Sequence, residues 1–254
     1  MNYSIKYLIY NIKGGEKMNR AEIKRQAKES LKGRWGTIIA MILLYEMIVG
    51  AISMVANFIV GIGSIVVLVI SIPIEFGYIG QIMKFTRKED VGVVDFFKIG
   101  FDNFSKAWSI AGHTLLKLLP YIIAFIVSLF AIIGLSVAAI ESESALLGLA
   151  MFVFFILYFV FVILMAVKSY FYILTSYIGN DDNNLNGKEI VEKSAELMKG
   201  HRWEFFVLEL SFFGWIFLSI LTLGIGLIWL IPYMEVTNVK FYEKLIENKQ
   251  EVVN

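Results

Sequence analysis

The sequence predicts an all-α membrane bundle of six spans, and three observations carry that expectation. Apolar runs recur at lengths that suit a bilayer. Lys and Arg fall in blocks between alternate runs, and polar amphipathic segments precede the paired runs. Of the 254 residues, 58% are hydrophobic and 18% are charged, against about 45–50% and about 25% in an ordinary soluble domain. The net charge of +1 conceals the segregation of its basic residues, which carries topological information.

The first seventeen residues lack a long apolar stretch and a small-residue cleavage site, so they do not read as a signal peptide. Lys13-Gly14-Gly15 can be encoded by a purine-rich stretch just before the Met18 codon, as a translated ribosome-binding site would be. Residues 1–17 are therefore expected to be a leader artefact with translation starting at Met18; the alternative is a disordered or interfacial arm.

Residues 19–34 (NRAEIKRQAKESLKGR) place Ile23, Ala27 and Leu31 at four-residue spacing with charges elsewhere, the pattern of an amphipathic helix. Its basic residues suit anionic lipid headgroups, and Trp35 follows where indoles favour the interface. Runs 37–60 and 62–83 each exceed the ~20 residues needed to cross ~30 Å of hydrocarbon. Between them Gly61-Ile62-Gly63 makes a tight turn. A basic segment follows, with Val94, Phe97, Phe101 and Phe104 spaced for a second surface helix.

Runs 118–139 and 145–167 contain no charge and are joined by an acidic loop, Ile140-Glu141-Ser142-Glu143-Ser144. A Tyr-rich extension and the hydrophilic turn 179–187 lead into the helix KEIVEKSAELMKG. Run 205–223 is the fifth span. The sixth, from Ile225, is the weakest, because Glu235 and Asn238 interrupt it and Lys240 ends it early. From residue 20 onward, no Lys or Arg lies in the first, third or fifth turn. The positive-inside rule then places both termini in the cytoplasm, which requires an even number of spans.

An internal repeat underlies this order. A shift of 167 positions aligns Glu22, Ile23, Glu29, Lys32 and Gly33 with Glu189, Ile190, Glu196, Lys199 and Gly200, while Trp35 and Trp203 match one residue out of phase. Ile72-Pro73 corresponds to Ile231-Pro232. The chain reads as one membrane domain, 18–246, with units of about 18–86, 90–178 and 186–246 in parallel orientation, and a cytoplasmic tail, 247–254. At each corner, Gly frees the backbone to turn, Lys stays at phosphate depth and Trp anchors the interface. The sharper alternative makes Lys32, Gly33, Trp35, Lys199, Gly200 and Trp203 a docking groove for a lipid headgroup or partner.

The stretches RAEIKRQAKESLKGRWG (20–36), LMKGHRWEFF (197–206) and LTLGIGLIWLIPY followed by FYEKL (221–245) resemble a bacterial integral-membrane family, domain of unknown function 975, found mostly in low-GC Gram-positive bacteria. The resemblance covers nearly all of the chain from Met18. It implies a multipass helical protein of the cell membrane and supplies no reaction, substrate or site residues. Glu46 and Glu75 depart from the family's neater members.

Four carboxylates, Glu46, Glu75, Glu209 and Glu235, fall near the middle of expected spans. A charge there costs about 2.5–3.5 kcal/mol, so each should face the interior, be protonated or pair. One reading is a proton or cation path; the other is protonated carboxyls bonded to hydroxyls and backbone. Pro73, Pro120 and Pro232 interrupt apolar runs and kink helices, with Glu75 and Glu235 close behind two of them. His113 and His201 suit interfacial hydrogen bonding, so no metal or cofactor is expected. Zero cysteines exclude disulfides and thiol chemistry, and no Walker loop, zinc helix or nucleophile elbow is present.

An enzyme is thus the least supported class. Basic helices with apolar faces point to lipid, not nucleic acid. Two readings remain: a non-enzymatic protein that organises membrane partners or lipids, including its own copies in a homo-oligomer, and a small proton- or cation-coupled transporter or channel.

Overall fold

The computed structural model describes residues 18–57, 63–142 and 144–253, so expectations for residues 1–17 and most of the Gly61-Ile62-Gly63 turn lie outside the described residues. Everything regular among the described residues is α-helical. Five segments are long and apolar enough to cross a membrane: Trp35–Val55, Gly63–Thr86, Phe104–Ile140, Ala145–Ser169 and Arg202–Leu221.

Helix α1 (Arg20–Leu31) begins where the Asn19 side chain accepts the amides of Ala21 and Glu22 at 3.1 and 3.3 Å, satisfying donors that a helix N-terminus leaves open. Its expected stripe of Ile23, Ala27 and Leu31 is buried. Gly33, at φ +77°, turns the chain into α2 (Trp35–Asn57). Arg34 then donates to the carbonyls of Phe85 (2.9 Å) and Glu89 (3.2 Å) with its guanidinium over the Phe85 ring. That contact caps α3 (Gly63–Thr86), whose last carbonyls have no partner within the helix.

The middle of the chain differs from expectation. The surface helix is only α4 (Asp95–Asp102), and α5 (Phe104–Ser142) carries both the polar approach and the apolar span in 39 residues. Asn103 supplies the one stop between them, and no proline occurs in α5 before Pro120, so helix propagation continues into the span. Helix α6 (Ala145–Ser169) packs chiefly on α5 and buries none of its residues. A helix that is apolar all round yet uncovered by protein needs an apolar solvent or a partner.

The Tyr-rich extension folds into a short helix, α7 (Thr175–Asp181), where only a turn was expected over its last residues. Lys106 holds it by donating to the carbonyls of Gly179 and Asp182. Helix α8 (Gly187–Leu197) opens with a reciprocal capping box between Asn186 and Glu189. Gly200, at φ +92°, turns into α9 (Arg202–Leu210). The fifth run is then broken at Ser211-Phe212, where the Ser211 hydroxyl turns back onto the Leu208 carbonyl, before α10 (Phe213–Leu221). Helix α11 (Leu227–Val253) begins as the weak sixth run and extends through the expected tail.

The core sits at one end of the molecule. There α1 lies along α11, which also touches α2 and α3, while α8 and α7 pack on α5 and α3. Ile23, Leu31, Ile82, Phe85, Val239 and Tyr242 are among its buried side chains, each large apolar group contributing about 1.5–3 kcal/mol. Charged residues line the rim of this end: Arg87 meets Asp181 (2.5 Å) and Glu243 (2.9 Å), and Asp181 also accepts the Tyr242 hydroxyl at 2.9 Å.

Candidate functional site

The four carboxylates expected within spans come from four helices of the core end: Glu46 from α2, Glu75 from α3, Glu209 from α9 and Glu235 from α11. Glu235 lies within electrostatic range of the other three. Glu46 and Glu75 are exposed on the helix pack, whereas Glu209 and Glu235 are half-buried. On α3 the residues around Glu75, from Pro73 to Tyr78, are otherwise buried, so helical rotation alone turns the Glu75 carboxyl outward.

Three tyrosines stand among these groups. Tyr45 and Tyr78 stack with ring centroids 4.0 Å apart, and both are within range of Glu46 and Glu235. Tyr177 is within range of Glu235 and Glu209, and its ring stacks on Tyr242 at 5.5 Å. The Tyr242 hydroxyl reaches Asp181 and thereby Arg87. Tyr45, Tyr78 and Tyr177 thus lie within electrostatic range of Glu235, and the Tyr177–Tyr242 stack leads toward the ion cluster at the rim.

The countercharge for Glu209 comes from outside the apolar runs. Lys24 of α1 lies within electrostatic range of Glu209, 3.5 Å from the Ser211 carbonyl and 3.9 Å above the Phe212 ring. Burial, together with the positive charges of Arg20 and Lys28, pushes Lys24 below its ordinary value, and Glu209 opposes that shift. One Glu209 oxygen and the Asn238 carbonyl oxygen are buried without a hydrogen-bond partner. Sequence reasoning placed the carboxylates but missed Lys24, which no span contains. The usable signal was its place in a helix whose apolar stripe had to pack on something.

The proline kinks act differently from one another. Pro73 has no N–H, so the Val69 carbonyl loses its helical donor; the Trp108 indole of α5 donates to that carbonyl instead, at 3.3 Å. Pro120 and Pro232 lie within α5 and α11. His113 bonds the Ser109 carbonyl at 2.7 Å and the buried His201 bonds Glu204 at 2.7 Å. Among the described residues no group of three potential ligands could hold a metal ion.

Both corners border open clefts. Lys32, Gly33 and Trp35 line one together with Lys28 and Tyr233. Gly200 and Trp203 line another with Tyr170, Arg202 and Phe206, where the Arg202 guanidinium lies 3.9 Å over the Phe171 ring. Lys199 is exposed beside it.

Five apolar helices of spanning length, joined at a helix-packed end, have the length and composition of a helical membrane protein. The chain belongs to the family described as Protein of unknown function (DUF975), whose model matches residues 18–249. No curated protein and no solved structure matches it.

Proposed function

We propose that the protein is a non-enzymatic component of the cell membrane that organises lipids or membrane-protein partners, with both termini and the amphipathic helices on the cytoplasmic side. One observation carries this reading: a packed helical end holds an apolar hairpin, α5–α6, of which α6 buries nothing. Such a hairpin offers its whole surface to acyl chains or to another membrane protein, a second copy included. The basic face of α1, with Arg20, Lys24, Arg25 and Lys28, suits the negative surface of a cytoplasmic leaflet.

Proton- or cation-coupled transport is a second reading, favoured by the carboxyls and phenols within electrostatic range of Glu235. Groups of this kind inside a membrane serve proton relays. Flux through the purified protein in sealed liposomes separates the two. The organising reading expects no proton or cation flux above protein-free vesicles. Parent flux that is abolished in a well-folded Glu75→Gln, Glu235→Gln double variant overturns it in favour of transport.

A further inference from the structure

The first corner carries more than a turn. Its cleft of about 480 Å³, lined by Lys28, Lys32, Gly33, Trp35 and Tyr233, adjoins a second of about 420 Å³ that shares Lys28, Trp35 and Tyr233 and continues between Trp215, Leu218, Trp229 and Leu230. Each lies within the size range of small-molecule sites. The upper part is cationic and the lower part is apolar.

The charge balance favours an anion. Arg25 and Glu29 also line the mouth, but Arg25 is paired to Glu29 at 2.5 Å and to Glu22 at 2.7 Å. Those pairs also hold the Glu22 carboxyl at about 2, its bonds from Arg25 and Gln26 being the main cause. Lys28 and Lys32 have no carboxylate partner among the described residues. Lys28 lies 5.6 Å over the Tyr233 ring, which orients its ammonium toward the cleft.

The apolar part favours a hydrocarbon chain. Trp215 and Trp229 are 62% and 51% exposed, so the trunk is an open aromatic wall along α10 and α11. Three of the chain's five tryptophans surround this one cleft.

We propose that this corner holds one anionic phospholipid, its phosphate between Lys28 and Lys32 and one acyl chain along the wall of Trp215 and Trp229. The site names a ligand for the membrane-organising reading and rests on it only in placing α1 at the membrane surface. Lipid recognition here requires both halves: a mouth with two uncommitted ammonium groups and an apolar wall against which the chain can lie.

The test is native mass spectrometry of the full chain released from nanodiscs of phosphatidylglycerol and phosphatidylcholine in equal amounts. The parent retains one phosphatidylglycerol in preference to phosphatidylcholine. Lys28→Gln, Lys32→Gln together weaken that retention by roughly tenfold to thirtyfold, about a factor of five for each lost charge. Lys98→Gln, which removes one exposed charge from α4, leaves it unchanged. Leu218→Trp keeps both lysines and fills the trunk, and it too loses the lipid. All four substituted positions are exposed, and thermal unfolding of each variant verifies its fold.

Equal retention of phosphatidylcholine overturns the proposal, as does undiminished phosphatidylglycerol on the double lysine variant or on Leu218→Trp. Displacement by millimolar inorganic phosphate also overturns it, because the acyl chain would then contribute nothing. The liposome flux result is independent: flux with lipid retained removes the organising reading and leaves the site, whereas no flux with no retained lipid removes the site alone.

Discussion

Gly77→Ala tests the tightest helix crossing in the molecule. Gly77 of α3 faces α4 so closely that an added methyl carbon would collide with the Phe96 carbonyl oxygen and would lie within 3 Å of the Gly100 backbone. Gly100 in turn faces the Pro73 carbonyl at the same crossing. The obstacle is backbone on both sides, which no rotamer change relieves, so the overpacking cost falls at the upper end of its usual range, about 3 kcal/mol. Alanine recovers about 1 kcal/mol of helix propensity, leaving a net loss of about 2 kcal/mol, or roughly 30-fold in the folded-to-unfolded ratio. Gly50→Ala on α2 is the control, because nothing described approaches its added methyl within 4 Å; it should be neutral or gain up to about 1 kcal/mol. Unfolding in detergent micelles, followed by size-exclusion after graded heating or by SDS titration, measures both. Equal stability of Gly77→Ala and Gly50→Ala would refute the close crossing of α3 and α4.

Other perturbations probe the rim and the kink. Arg87→Ala leaves Asp181 and Glu243 facing each other without their shared cation, and since all three side chains are only part-buried the loss should be about 1–3 kcal/mol; Arg87→Lys, which cannot fork to both carboxylates, should recover less than half, as read by the same unfolding assay. Trp108→Phe removes the donor to the Val69 carbonyl and should cost about 1–3 kcal/mol. In a Pro73→Ala background the helix supplies its own donor, so the loss of that hydrogen bond should no longer register, and a double-mutant cycle that shows no coupling contradicts the exchange of donors.

Much of this architecture was legible in the residues. Five of the six expected spans fall on long apolar segments, because length and hydropathy are local properties, while the sixth, from Ile225, does not; Ile23, Ala27 and Leu31 marked the buried face of α1 by period alone. The corner glycines were legible as turns, Gly33 and Gly200 each standing between an amphipathic helix and a tryptophan, but their left-handed φ was not. The partners across the fold were not legible. Lys24 and Ser211 are 187 positions apart, and no pattern within one helix tells which distant break its lysine will reach. The Trp108 bond to Val69 was hidden for the same reason, although Pro73 announced that a carbonyl needed a donor. The extent of α5 and the break at Ser211-Phe212 also escaped, because continuity depends on whether a single polar residue caps a helix or is carried along it. The carboxylates were found by their cost in an apolar run, while the tyrosines among them were not, since a tyrosine in a span carries no such penalty.

The absence of cysteine makes the membrane arrangement directly measurable. Single cysteines at Ser144, Asn184, Leu223 and Glu247, reacted with a membrane-impermeant maleimide in sealed spheroplasts and again after permeabilisation, report the side of each loop. The account predicts labelling of Ser144 and Leu223 from outside, and of Asn184 and Glu247 only after the membrane is opened. Glu247 labelled from outside alongside Leu223 would contradict a sixth crossing by α11, and Asn184 labelled from outside would contradict the placement of the helical end in the cytoplasm.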